Sequence, residues 1–247
     1  GVKLPEMGNV VGRVHIIVEN TTFTGAASDG SYPEWKGRLI DGWYDICEND
    51  TMMTAVFKAL QLEGCHWSTG SQGIASGWDD YSATYLASVR VPEGTEGANG
   101  SFHLKAGGGS IGEFSGEPGS GWMGTLNDWF TNVGFQEFSV RNGKLENNDE
   151  IKIMFTQNLG GDLGGTWGNS DTSLKSLDIV GGRLYPTFNS DIKKYALITS
   201  SSANLKITPT ASNRNYLTKI FLNSYDNDNA HYKRTERMRV VANDTIY

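Results

Sequence analysis

The sequence predicts two folded domains, a small α+β domain that ends near Thr156 and a β-sandwich that begins near Leu174. Three observations lead to this fold class. The chain has 247 residues, more than most single domains contain. A helical pattern occurs only in the first half, whereas the apolar patterns after Leu174 are those of strands. Residues 157–173, between the two halves, are rich in glycine and show no periodicity, as is typical of linkers.

We therefore expect a first domain at residues 1–158, a glycine-rich linker at 159–173 and a second domain at 174–247. A seven-stranded sandwich would need a further strand after residues 237–241. The sequence accordingly predicts that the sandwich is truncated and that the natural chain continues past Tyr247.

The first domain opens with two predicted strands, at residues 12–23 and 36–46. Apolar and polar residues alternate along the first of them, which is the pattern of a half-buried strand. Leu39, Trp43 and Ile46 are the apolar positions of the second. We expect Trp43 to lie in the core.

A helix is predicted next, over residues 50–63, because four apolar side chains fall on one helical face. Asn49 or Asp50 is expected to cap its first turn and Gly64 to end it. The helix separates Cys47 from Cys65, its ends lying about 20 Å apart. A disulfide needs Cα atoms within about 7 Å of each other, so we expect two free thiols, each buried as a small apolar side chain.

The remaining predicted strands follow in order. The first domain continues with strands at residues 81–91, 101–105 and 150–156, with an aromatic hairpin near residues 121–135 between the last two. The second domain has five predicted strands separated by turn residues, at 174–180, 195–199, 203–210, 217–223 and 237–241.

Charge limits the classes of partner. Residues 1–170 hold 10 basic and 21 acidic side chains, a net charge of −11, whereas residues 171–247 hold 11 and 7, a net charge of +4. An acidic first half argues against a nucleic-acid partner, because phosphate contacts need clustered Lys and Arg. The basic residues of the second half are expected to form a solvated face. The chain has no apolar run of the roughly 20 residues that a membrane span needs.

Short motifs that suggest catalysis do not fit their context. Residues 108–112 read G-x-S-x-G, but no helix pattern follows them as a nucleophile elbow requires, so we expect a flexible glycine loop. Glu113 and Glu117 are the least implausible acid pair for glycoside hydrolysis, and the favoured interpretation is solvated loop acids. We predict no enzyme activity and no catalytic residue.

Metal and cofactor motifs are equally weak. The four histidines are isolated, and Cys47 and Cys65 lack the close spacing of a zinc site. The Asn/Asp run at residues 226–229 lacks the glycine and glutamate of a calcium loop and is interpreted as a turn. We predict neither a metal site nor a cofactor.

Tryptophan is more informative, since all seven tryptophans lie within the first 167 residues. Trp67, Trp78, Trp122 and Trp129 occupy glycine-flanked polar stretches where a core position is hard to arrange. Exposed aromatic rings in such places form flat platforms for sugars, macrocycles or protein partners. We expect this role for at least one of them.

A family resemblance supports the hairpin as a site. Residues 121–127 read G-W-M-G-T-L-N, and an N-V-G turn at 132–134 and an N-D-E-I strand start at 148–151 follow. This order resembles a family of bacterial extracellular domains related to the C-terminal domain of transcobalamin and intrinsic factor, over roughly residues 12–156. Leu126 replaces the usual Val, and Asn148 replaces a Gly, for which it is a tolerable substitute because Asn accepts a left-handed conformation.

The resemblance implies an α+β β-grasp (ubiquitin-like) fold that binds a soluble ligand. In the vitamin carriers this domain covers one face of the corrin with apolar hairpin residues. By position in the motif, the implied ligand-binding residues of this chain are Trp122, Met123, Asn127, Trp129 and Phe130.

The second half resembles another family. Its pattern L-x-x-L, L-x-P-x-F and Tyr, at Leu174, Leu177, Leu184–Phe188 and Tyr195, is similar to that of the bacterial cadherin-like β-sandwich. The resemblance implies an all-β immunoglobulin-like sandwich that acts as a spacer or adhesive unit, with Phe188 and Tyr195 filling its interior.

These observations lead to one functional hypothesis and two alternatives. The leading hypothesis is a secreted, non-catalytic binding or adhesion segment of a larger cell-surface protein from a Gram-positive bacterium. Its extracellular ligand would be a glycan, a small molecule or a host or bacterial surface protein. The alternatives are a corrinoid (cobalamin) binding protein and an accessory region of a carbohydrate-active enzyme.

Overall fold

A computed structural model describes residues 4–23, 35–70, 76–102, 109–165, 168–226 and 231–247. In these residues the fold is mostly β, with thirteen strands in four sheets and one α-helix. Several predicted features lie wholly or partly outside them: Trp167, the strand at 101–105, the start of the G-x-S-x-G motif and the Asn/Asp run at 226–229.

The chain divides into two compact units. The first contains Gly1–Leu126 and Phe130–Gly165, and the second contains Asn127–Trp129 and Thr166–Tyr247. The 3₁₀ turn Gly161–Leu163 therefore belongs to the first unit, where Leu163 packs in an apolar cluster with Phe130 and Met154. Part of the expected linker at 159–173 is thus packed structure.

A five-stranded sheet is the largest element of the first unit, in the order β2-β1-β8-β6-β7. Strand β1 pairs antiparallel with β2 and parallel with β8, and β8 pairs antiparallel with β6. Alternate residues of β1 and β8, such as Val14, Ile16 and Ile151, are fully buried on one face. The strand bounds are Val10–Asn20 for β1, Gly37–Cys47 for β2, Gly121–Leu126 for β6, Trp129–Phe130 for β7 and Glu150–Thr156 for β8.

Helix α1, Met52–Leu62, confirms the predicted helix, and it is buried from Met52 to Leu60. The expected cap is wrong, because Thr51 is the N-cap: its hydroxyl accepts from the Thr54 amide and the Thr54 hydroxyl accepts from the Thr51 amide. Asp50, one residue earlier, turns its carboxylate inward instead. Gly64 follows the helix with φ 74°, the left-handed conformation expected of it.

Three short antiparallel strands form a second sheet in the first unit, β3 (His66–Ser68), β4 (Ser88–Val91) and β5 (Gly109–Gly112). The predicted strand at 81–91 is correct only for its last four residues. Its start is a turn, because the Asp80 carboxylate accepts hydrogen bonds from both the amide and the hydroxyl of Ser82.

The expected flexible loop at the glycine motif is wrong where the structure describes it, since Gly109–Gly112 is strand β5. A Cβ atom on Gly112 would lie 2.3 Å from the Ser88 Cβ and 2.4 Å from the Ala87 carbonyl oxygen. The motif therefore meets a packing requirement, a close approach between two strands.

The second unit is all-β in the residues that the structure describes. Strands β9 (Leu174–Val180), β12 (Ser202–Ala211) and β13 (Arg237–Val241) form an antiparallel sheet, and β10 (Arg183–Tyr185) pairs with β11 (Ala196–Ile198). Leu197 of β11 packs against the core side chains of β12 and β13, Leu205, Ile207, Met238 and Val240. The predicted strand at 217–223 is reduced to isolated bridges at Ile220 and Leu222, which pair with two different segments.

Replacing Gly112 by Ala tests the close approach of β4 and β5. We expect Gly112→Ala to lower the free energy of unfolding by about 1–3 kcal/mol, the usual cost of overpacking. Gly121→Ala is the matched control, because a Cβ there would meet its nearest atom at 3.9 Å. Urea unfolding followed by tryptophan fluorescence measures both variants. Equal midpoints for the two would contradict the packing account.

Candidate binding face

The side of the five-stranded sheet opposite its buried face carries charged residues and an exposed tryptophan. On β1, His15 lies between Val14 and Ile16 and so points to this other side. Its neighbours across the sheet are Trp43 on β2 and Glu150 on β8. Residues far apart in the sequence are thus side by side, and we name His15, Arg38, Asp41, Trp43 and Glu150 the His15–Trp43 face.

His15 is at the centre of this face. Its Nε2 lies 2.6 Å from Asp41 Oδ1, and its Nδ1 lies 3.6 Å from Glu150 Oε2. The Trp43 ring stacks on the imidazole with ring centroids 5.4 Å apart and an interplanar angle of 16°. Two carboxylates and an indole therefore hold the imidazole in one orientation.

Arg38 extends the network along β2. Its Nη1 donates to Asp41 Oδ2 at 2.7 Å, and its Nε donates to Glu19 Oε2 at 3.1 Å. Asp41 is thereby engaged on both oxygens, by His15 and by Arg38. Charge-assisted hydrogen bonds of this kind fix side-chain positions on the sheet surface.

The protonation of this network follows from its geometry. The neighbouring Glu150 carboxylate, assisted by Asp41, raises the pKa of His15 above 6.5 although burial acts in the opposite direction. Burial alone would raise the pKa of Asp41, but the hydrogen bonds from His15 and Arg38 outweigh it and the net shift is downward. The arrangement therefore favours an imidazolium beside an ionised carboxylate.

Trp43 is the exposed aromatic residue of this face, with 39% of its surface exposed. The expectation that it lies in the core is wrong. Residues two apart share one face of a strand, so Trp43 lies with Asp41 and Asp45, while Ile40 and Ile46 point to the core. The alternation of Asp41, Trp43 and Asp45 with inward-pointing residues along β2 is the sequence signal that identifies Trp43 as an outward-facing residue.

The residues implied by the family resemblance divide into two groups. Trp122 and Phe130 are core residues, 7% and 4% exposed. The Trp122 indole donates to the Ile111 carbonyl oxygen at 2.7 Å, and Phe130 packs against Met154. Met123, Asn127 and Trp129 are half-buried. The last three keep exposed surface, and for them a role in ligand binding stays a prediction.

Of the other tryptophans expected to form platforms, Trp67 is buried and stacks on Phe57 with ring centroids 4.7 Å apart. Trp78 is half-buried, and the Arg90 guanidinium lies 4.4 Å from its ring centroid. Trp78 therefore has a cation near one face, as Trp43 does, where the Arg13 guanidinium lies 5.8 Å from the ring centroid.

The acids and thiols singled out in the sequence lie elsewhere. Glu117 is exposed, as expected of a solvated loop acid, whereas Glu113 is half-buried near Tyr85. Burial, followed by the Glu113 carboxylate, raises the pKa of Tyr85 to about 12.

Both cysteines are free. Cys65 is buried, which raises its pKa to about 12, but Cys47 is only half-buried and the expectation of burial is wrong for it.

Within the described ranges, no group of three or more His, Cys, Asp or Glu side chains could hold a metal ion. Helices in the same ranges are too short or too polar to cross a bilayer.

No family model, curated protein or solved structure matches the chain.

The pKa of His15 provides a test of the network. NMR titration of the full chain should give His15 a pKa above 6.5, and Glu150→Gln should lower that pKa, because the largest cause of the shift is removed. Glu117→Gln, a change of the same charge on an exposed loop, should leave it unchanged. A His15 pKa at or below 6.5 would refute the arrangement.

The free energy of unfolding should depend on the protonation of His15. Because the folded pKa of His15 is raised, its stabilising contribution is complete below the unfolded pKa of about 6.5 and is lost as the pH rises through the folded value. The stability difference between the wild-type chain and His15→Gln should therefore shrink as the pH rises above about 6.5. Urea midpoints at a series of pH values measure it, and a difference that grows with pH would have the wrong sign.

Proposed function

We propose that this chain is a non-catalytic binding segment of a bacterial cell-surface protein, and that its first unit binds a glycan on the His15–Trp43 face. One observation carries the proposal. An exposed tryptophan ring lies among charged groups that hydrogen bonds hold in fixed positions on a sheet. Preorganised polar groups around an apolar surface are typical of small-ligand sites.

The chemistry of the face suits a sugar. A sugar ring has an apolar side of C–H groups, which can pack on the Trp43 indole, and a rim of hydroxyls. The Asp41 carboxylate, whose side chain is partly exposed, can accept hydrogen bonds from those hydroxyls, and Arg38 can donate to them, whereas Glu150 is buried beneath the face and acts through His15. Both signs of charge are available within one small area, which suits a neutral polar ligand.

A binding role is favoured over hydrolysis by the state of the carboxylates. A glycosidase needs one protonated acid and a second carboxylate on either side of the bond to be cleaved. Asp41 is already bound by His15 and Arg38, and its pKa is lowered, so it is poorly suited to act as the acid.

The topology of the first unit supports a β-grasp domain. Two antiparallel strands precede a helix, and β8, the last strand of the sheet, lies beside β1 and parallel to it. β-Grasp domains share this order of strands around one helix. In this chain the sheet of β3, β4 and β5 is inserted between α1 and β6.

The second unit supports an immunoglobulin-like spacer. Its antiparallel sheet and its β10–β11 hairpin contribute to one apolar core. Phe188 and Tyr195, the residues of the cadherin-like pattern, stack with centroids 6.1 Å apart, but they are half-buried, so the expectation that they fill the interior is wrong. A spacer of this kind would present the first unit away from a cell surface, and the location outside the cell is part of the proposal.

Glycan binding can be tested with the full chain on a glycan array, followed by titration of the strongest ligand. Trp43→Ala should weaken binding about tenfold or more, equivalent to about 1.4 kcal/mol, because the stacking surface is lost. Trp78→Ala is the matched control, since that ring is half-buried and is not part of the His15–Trp43 face. Equal losses in both variants, or none in Trp43→Ala, would contradict the proposed site.

The corrinoid alternative depends on the hairpin residues that keep exposed surface, Met123, Asn127 and Trp129. An absorbance titration with a corrinoid tests it, with Trp129→Ala as the variant that should weaken binding. If neither the glycan array nor the corrinoid titration detects binding, small-ligand binding is rejected and a protein partner is favoured. Glycan binding itself would suit either an adhesin or an accessory region of a carbohydrate-active enzyme.

A further inference from the structure

An amine and a carboxyl group meet in the interior of the first unit, away from the His15–Trp43 face. Asp50 is fully buried and Lys58 is 6% exposed. Lys58 lies on α1 and reaches back along the helix, so that its Nζ contacts Asp50 Oδ2. Neither group has a role in the proposed glycan site.

Burying two opposite charges is costly, because the desolvation of both ions offsets much of their attraction. Lysine is almost never fully buried unless it is paired, and here its partner is also shielded from water. A neutral covalent product would remove both charges from the interior. Lys58 and Asp50 are therefore candidates for a covalent bond and not only for an ion pair.

The surroundings of the carboxyl group suit attack by an amine. The Cys47 amide donates to Asp50 Oδ2 at 2.7 Å, and the Thr54 hydroxyl donates to Asp50 Oδ1 at 2.8 Å. Both donors withdraw electron density from the carboxyl carbon. They also lie where negative charge develops on oxygen when a nucleophile adds, as the donors of an oxyanion hole do.

We propose that Lys58 and Asp50 join through an intramolecular amide bond. The step begins once a proton has passed from the Lys58 ammonium to the Asp50 carboxylate. Lys58 Nζ then adds to Asp50 Cγ, and one Asp50 oxygen leaves as water with a proton from Nζ. One C–N bond forms, one C–O bond breaks, and no oxidant or other reactant is needed.

Proximity raises the rate of a reaction that is slow between free molecules. Groups held in contact react as if present at effective concentrations that reach about 10⁵ M or more. The buried site also excludes the water that would reverse the step. The bond would tie the middle of α1 to the residue before its N-cap, next to the end of β2.

Mass spectrometry of the full chain tests the proposal directly. The denatured protein should be lighter than its sequence predicts by one water, about 18 Da. Trypsin locates the bond, because Lys58 is the one cleavage site between Arg38 and Arg90. The linked chain should yield a single fragment of residues 39–90 that lacks one water, whereas an unlinked chain yields fragments 39–58 and 59–90.

Lys58→Arg is the matched control, because it keeps the positive charge and the trypsin site but removes the amine. It should have its full sequence mass and release fragments 39–58 and 59–90. Water loss that persists in Lys58→Arg would indicate a cyclic imide at an aspartate and would overturn the proposal. A full sequence mass for the folded wild-type chain would overturn it without any variant. Neither result depends on whether the chain binds a glycan.

Discussion

The parallel pairing of β1 with β8 is the interaction on which the first unit depends. It joins the first strand of the sheet to the last, placing His15 opposite Glu150 and Ile16 opposite Ile151. On one side of the sheet this pairing completes the buried apolar face, since Ile16, Ile151 and Ile153 are fully buried. On the other side it brings a second carboxylate to His15. Stability and the candidate site therefore have the same origin, and a shift of one residue in this register would reverse both faces.

The register of β1 with β2 and β8 explains how a charged network is held in place on a sheet face. Asp41 and Glu150 hold His15 from the two adjacent strands, and Arg38 is held by Glu19 on the adjacent strand β1 and by Asp41 on its own strand. The paired strands therefore preorganise these side chains. The side chains of His15 and Arg38 already pair with the carboxylates of Asp41 and Glu150. The face is therefore better suited to bind polar groups than to transfer protons to them. Trp43 adds the apolar surface that such a network lacks.

The local features of the fold could be predicted from the sequence, and the long-range ones could not. Helix α1 and strand β8 have strong periodic patterns, and the structure confirms both. The N-cap was missed because Asn49, Asp50 and Thr51 are all good capping residues, and only the inward turn of the Asp50 carboxylate selects Thr51. A core position is expected for Trp43 because large aromatic side chains usually lie there, whereas its place on β2 puts it on the same face as two aspartates. The proposed site could not be predicted, because His15 and Glu150 become neighbours only through the pairing of β1 with β8, which no local sequence pattern indicates.

Two of the five ligand-binding residues that the resemblance implies, Trp122 and Phe130, are core residues, and for Met123, Asn127 and Trp129 a role in binding stays a prediction. Trp122 and Phe130 hold the hairpin in the core, so the part of the motif that is easiest to see in the sequence stabilises the fold. We propose instead that the ligand binds on the His15–Trp43 face of the sheet. Two-dimensional ¹H–¹⁵N NMR spectra, recorded while the strongest glycan from the array is added, test it most directly. Shifts should cluster on β1, β2 and β8 around His15, Trp43 and Glu150, and shifts confined to residues 121–130 would contradict the account.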